Sequence, residues 1–102
     1  MDGYKCEGVD KFYVYILHSI GSGKYYIGQT NNIERRLYEH NEGEESSYTS
    51  KFRPWKLLVC IPVDTRSAAV KIERYLKKKP RVYIDRVVSE KELQDYIVHR
   101  FS

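Results

Sequence analysis

The chain reads as an α+β protein: a small, mostly antiparallel three-stranded sheet flanked by helices, in the order β-β-α-β-α-α. Three observations predict this. Two short aromatic and β-branched runs are separated by a glycine-rich turn, a third apolar run stands alone near the middle, and the segments between and after them carry apolar residues at helical spacing. With 102 residues and 41% hydrophobic content, the chain suits one compact domain around a single core.

Residues 1–10 are polar and unpatterned and read as a leader, with the domain proper over 11–102. Phe12-Tyr13-Val14-Tyr15-Ile16-Leu17 has the length and residue types of a strand, and Gly21-Ser22-Gly23 ends it. Tyr25-Tyr26-Ile27-Gly28 follows as its antiparallel partner. Gly21-Ser22-Gly23-Lys24 lacks the Ser or Thr and the helix that a phosphate loop needs, so it is a hairpin connection. Asn31 followed by Glu34 resembles a capping box, and Ile33, Leu37 and Asn41 fall at helical spacing, which predicts a helix over 32–42 stopped by Gly43. Residues 44–54 are polar and breaker-rich, a loop carrying Lys51 and Arg53. Leu57-Leu58-Val59-Cys60-Ile61 predicts a third, central strand that Pro62 closes. Ala69, Ile72 and Leu76 make the stripe of a helix over 66–79 that Pro80 interrupts, and one or two short helices follow.

Charge and cysteine usage narrow the setting. A net charge of +4 favours a polyanionic partner, although 14 acidic residues offset 18 basic ones. Cys6 and Cys60 have no metal-ligand spacing and read as two reduced thiols, which argues against zinc and for a cytoplasmic protein. No signal-peptide core or membrane-length apolar run is evident.

The chemistry-bearing residues cluster in the first third. Tyr13 and Tyr15 share one strand face, whereas Tyr25 and Tyr26 point to opposite sides. Arg36 and His40, four positions apart, project from one helix face beside the Ile33/Leu37 stripe. Two phenols, a guanidinium and an imidazole gathered in this way can grip a phosphodiester and move its protons. A bland account exists for each: most of the ten tyrosines are amphipathic packing residues, Arg36 could make surface pairs, and His40 could cap helix carbonyls. Glu73 stands close to the core-facing stripe of its helix, where a carboxylate must be paired or metal-bound. Paired, it would meet Arg36 or a tyrosine hydroxyl. Lys77, Lys78 and Lys79 at the end of the same helix could track a nucleic-acid backbone, as could Arg35, Lys51 and Arg53; a solvated helix end is the simpler reading of the lysine run.

Tyr13-Val14-Tyr15-Ile16-Leu17, Tyr25-Tyr26-Ile27-Gly28-Gln29-Thr30 and Arg35-Arg36-Leu37-Tyr38-Glu39-His40-Asn41, with Thr49…Arg53-Pro54-Trp55-Lys56-Leu57 and Ala68-Ala69…Glu73, resemble in order the signature of the GIY-YIG nucleases over residues 12–80. Residues 81–102 would be a C-terminal helical extension. The resemblance implies a metal-dependent endonuclease that hydrolyses DNA, branched and single-stranded forms among the candidates, by in-line attack of water. It assigns catalysis to Tyr15, Tyr26, Arg36, His40 and Glu73, with Glu73 as ligand of one Mg²⁺ or Mn²⁺, and gives Gly28 a structural role in permitting close approach at the end of its strand. The asparagine that members often carry after the glutamate helix is absent from residues 80–102, as in the small stand-alone members. One domain has no appended module to read a long base sequence, so cleavage should be structure-selective or nearly sequence-blind. A catalytically inactive nucleic-acid-binding module is the rival reading.

Overall fold

The computed structural model describes residues 11–43 and 48–102. The expected leader over 1–10 therefore lies outside the described residues, as does Cys6. Strands β1 (Phe12–Ser19), β2 (Tyr25–Thr30) and β3 (Trp55–Val63) and helices α1 (Ile33–Glu42), α2 (Arg66–Lys77), α3 (Arg81–Ser89) and α4 (Lys91–Phe101) form an α+β fold, with a short 3-10 helix at Thr49–Phe52 before β3. Both pairings in the sheet are antiparallel.

The strand order is β2-β1-β3, so the central strand is β1, and the expectation that β3 would be central is corrected. The reason is burial on both faces. Tyr13 to Leu17 are all buried, alternate residues facing opposite helical layers, as an unbroken apolar run demands. As an edge strand β3 also tolerates Pro62, and so runs on to Val63 instead of closing at the proline.

Val14 and Ile16 pack with Val59, Ile61 and Val63 against Ala69, Ile72 and Leu76 of α2 and against Ile84, Val87 and Ile97 of α3 and α4. On the other side Tyr13, Tyr15 and Leu17 pack with Trp55, Leu57, Cys60 and Ile33 of α1. A bulge makes this division possible. Ile16 pairs with Val59 but Leu17 pairs with Leu57, which leaves Leu58 as the extra residue and turns Trp55 and Leu57 toward α1.

Helix ends follow ordinary chemistry with two shifts from expectation. The cap of α1 is Asn32, not Asn31: its side chain accepts from the Arg35 amide at 3.0 Å. Gly43 ends the helix in extended backbone, where a Cβ would stand 2.5 Å from the Glu39 carbonyl oxygen. Helix α2 is capped by Thr65 and stops at Lys77, and Pro80 begins α3. Cys60 is disulfide-bonded, which corrects the expectation of a free thiol at that position. No helix among the described residues is long and apolar enough to cross a membrane.

Candidate active site

Tyr15 stands at the middle of the central strand on the α1 side and is 1% exposed. Its cross-strand partner is Gly28. A Cβ at Gly28 would lie 2.5 Å from the Tyr15 hydroxyl oxygen and 2.7 Å from Cζ, so the phenol lies across the space that a side chain on β2 would occupy. The close approach expected of Gly28 is thus made by Tyr15, rather than by a substrate or by the next helix.

His40 reaches the same phenol from the last turn of α1. Its Nε2 is 2.9 Å from the Tyr15 hydroxyl and its ring is 2% exposed, so it points into the protein instead of capping the helix. Burial, with the neighbouring Arg36 charge adding to it and Glu39 opposing it, pushes the imidazole down to about 4. It is neutral at neutral pH. Burial likewise pushes the Tyr15 phenol well above its ordinary value, with the Arg36 guanidinium pulling the other way and the charge of Glu73 adding to the rise.

Tyr26 completes an aromatic cluster: its ring centroid is 4.8 Å from that of His40, 6.3 Å from Tyr15 and 6.2 Å from Trp55. It is half-buried, so one side remains available to a substrate. Arg36, one turn before His40, donates to the Glu39 carboxylate at 3.0 Å and is close enough to act on the Tyr15 phenol. Helix and hairpin therefore bring together four of the five predicted catalytic residues.

The fifth, Glu73, comes from the opposite layer. Its side chain is 21% exposed and it pairs with Lys77 at 2.7 Å, rather than with Arg36 or a tyrosine. Lys77 in turn stands 5.9 Å from the centroid of the Tyr26 ring, which sets this pair beside the aromatic cluster at the β2 edge. A partly exposed carboxylate whose charge is felt at Tyr15 suits a divalent cation that takes its remaining ligands from water and phosphate oxygens. Among the described residues no group of three or more His, Cys, Asp or Glu could form a denser metal site.

The expected DNA contacts divide. Arg53 is taken up elsewhere: Nε donates to the His40 carbonyl at 2.6 Å and Nη2 to the Gly43 carbonyl at 2.7 Å, closing the C-terminus of α1. These bonds answer orphan carbonyls at the helix end and leave the positive charge of the guanidinium in place. Arg35 lies 3.7 Å from Glu39, Lys51 and Lys78 are exposed, and Lys79 stacks over tyrosines of the α2–α3 layer.

Several supporting residues carried no assignment from sequence. Asn41 donates to the Trp55 carbonyl at 2.9 Å and accepts from its amide at 2.6 Å, locking α1 to the start of β3. The Ser19 hydroxyl, fully buried, donates to the Phe52 carbonyl at 2.7 Å, and the Trp55 indole donates to the Thr49 carbonyl at 2.8 Å. The signal for Asn41 was present as an amide on an otherwise apolar helical stripe. Ser19 gave none.

Comparison with known proteins agrees with this architecture. Residues 11–83 match the GIY-YIG catalytic domain, which is of nuclease type. A UPF0213 protein from Bacillus licheniformis is 40% identical over 79 residues, covering 78% of this chain and 80% of that protein. Another from Syntrophus aciditrophicus is 43% identical over 74 residues, covering 72% and 84%. The solution structure of a UPF0213 protein from Bacillus halodurans superposes with a TM-score of 0.52 at 30% identity, covering 79% of this chain and 85% of that one. On the domain match and these relatives together, the chain belongs to the GIY-YIG family.

Proposed function

We propose that this protein is a divalent-metal-dependent DNA endonuclease that hydrolyses phosphodiester bonds and selects its substrate by shape more than by base sequence. The observation that carries this reading is the convergence of Tyr15, Tyr26, Arg36 and His40 on one face of the sheet, with Glu73 beside them at the β2 edge. A fold needs no such gathering of polar atoms in a layer it could fill with aliphatic side chains.

The roles follow from environment. Arg36, partly exposed, meets the non-bridging phosphoryl oxygens and offsets the charge that builds on them. Tyr15 resists ionisation and stays protonated, so it works as a hydrogen-bonding group whose direction is set by His40. His40, neutral at working pH, holds that hydroxyl and can accept a proton passed along it. Tyr26, the more accessible phenol, takes the water-facing role. Glu73 would hold Mg²⁺ or Mn²⁺, which when bound supplies positive charge against the leaving oxygen.

The test is a labelled panel of single-stranded, duplex, flap and branched DNA incubated with the protein in Mg²⁺ or Mn²⁺. Cleavage should disappear with EDTA and should fall at least ~100-fold in Glu73→Ala, the range for losing an electrostatic contribution to the transition state, while DNA affinity is largely kept. DNA that is bound but never cut would instead identify a nonhydrolytic nucleic-acid-binding module.

A further inference from the structure

A groove of about 350 Å³ runs between the β2 edge and the junction of α2 with α3. Its charged lining is Lys77, Lys79 and Arg81; Leu76 and Ile84 form an apolar floor, and no carboxylate lines it. Low-dielectric walls around cations of one sign strengthen their field on an anion that enters.

Lys79 is the informative residue. Its ammonium stands 4.6 Å from the Tyr75 ring centroid and 5.3 Å from that of Tyr83, and the two phenols are tied to each other by a 2.9 Å hydrogen bond. Aromatic faces hold a cation in place without neutralising it. Among the described residues Lys79 makes no ion pair, whereas the two other cations of the groove, Lys77 and Arg81, are answered by acids. Arg81, for example, lies 3.6 Å above the Tyr25 ring and 3.6 Å from Asp85, and donates to the Gly23 carbonyl at 3.0 Å, so it pins the hairpin to α3. Lys77 belongs to both places: it lines the groove and also pairs with Glu73 beside Tyr26.

We propose that this groove binds the phosphodiester backbone of the DNA strand beyond the scissile bond, with the strand passing Tyr26 and Lys77 and Lys79 as the principal contact. The strand's identity rests on the nuclease reading above. A merely solvated helix end would not hold its lysine between two bonded phenols over an apolar floor.

Anisotropy of a fluorescein-labelled branched oligonucleotide, measured in EDTA from low to physiological salt, tests the assignment with Lys79→Gln, Lys79→Arg and, as a charge-matched control, Lys91→Gln on α4, whose residue pairs with Asp95 at 2.8 Å. Lys79→Gln should weaken binding roughly three- to tenfold and reduce the slope of log affinity against log salt by about 0.7–0.9, the value for one phosphate contact. Lys79→Arg should restore both, and Lys91→Gln should change neither. An unaltered Lys79→Gln, or an equal loss in Lys91→Gln, overturns the groove in favour of a diffuse field. Amide shifts around Tyr83 that saturate with inorganic phosphate as tightly as with the oligonucleotide would also overturn it, leaving a simple anion site. The two readings fail separately. Cleavage with Lys79-independent binding removes the groove alone, and Lys79-dependent binding without cleavage in any divalent cation removes the nuclease alone.

Discussion

The two faces of the sheet are made from one strand yet have opposite characters. Toward α2, α3 and α4, β1 offers Val14 and Ile16, and everything they touch in the buried core is aliphatic. Toward α1 it offers Tyr13, Tyr15 and Leu17, among an indole, a third tyrosine and, at Tyr15, a buried imidazole. Strand alternation lets one segment serve both purposes. The aliphatic layer stabilises through area removed from water, while the phenolic layer accepts desolvated polar atoms that must find one another.

That contrast predicts different kinds of damage on the two sides. The largest loss of stability should come from the aliphatic face: Ile72→Ala, at a fully buried position, should cost about 2–5 kcal/mol in denaturant unfolding, while cleavage per folded molecule is kept at temperatures well below its lowered Tm. Comparable loss of both would show that the two faces are not separable.

An intermediate effect should appear with pH. His40 is neutral in the fold, with its value lowered to about 4 from 6.5. Between those values the unfolded chain binds the proton that the folded chain refuses, so stability rises with pH through this window and is lost as pH falls from about 6.5 toward 4. The contribution is on the order of 3 kcal/mol at one pKa unit per ~1.4 kcal/mol. Urea unfolding at a series of pH values should show it, and His40→Gln should flatten the profile over that range.

The smallest stability change paired with a large functional one is expected at Gly28. Alanine there forces the Tyr15 hydroxyl away from a Cβ 2.5 Å distant and so breaks its 2.9 Å contact with His40. Overpacking of this kind costs about 1–3 kcal/mol, but cleavage should fall by more than the stability change explains. Equal activity in Gly28→Ala would separate the Tyr15–His40 contact from catalysis.

Much of this was legible in the sequence because the signals were local. The hairpin, α1, α2 and the shared face of Tyr13 and Tyr15 follow from alternation and helical spacing, and the ordered motif blocks pointed to the family. Most of what was missed depends on partners distant in sequence. Whether β1 or β3 is central turns on pairing, because both carry an unbroken apolar run of the kind a central strand needs. The carbonyls that Arg53 bonds are invisible from its own neighbourhood because they end a helix ten or more residues earlier. The pairing of Glu73 with Lys77 was a one-turn contact that the spacing allowed, but the burial of Glu73 suggested partners across the fold.

Strand β3 shows how little chain is needed to change a residue's surroundings. Trp55, Leu57, Val59, Ile61 and Val63 alternate so regularly that they would be drawn as one apolar stripe. The single unpaired residue Leu58 divides them, sending the first two to the phenolic layer and the last three to the aliphatic one. Position 58 acts as a spacer of odd length, and its value is parity: pair it in regular register, and the indole that packs on Tyr26 and anchors Asn41 would face the wrong helices. For proteins built on this plan, counting residues across that point is a sharper guide to which side chains reach the site than the hydrophobicity of any one of them.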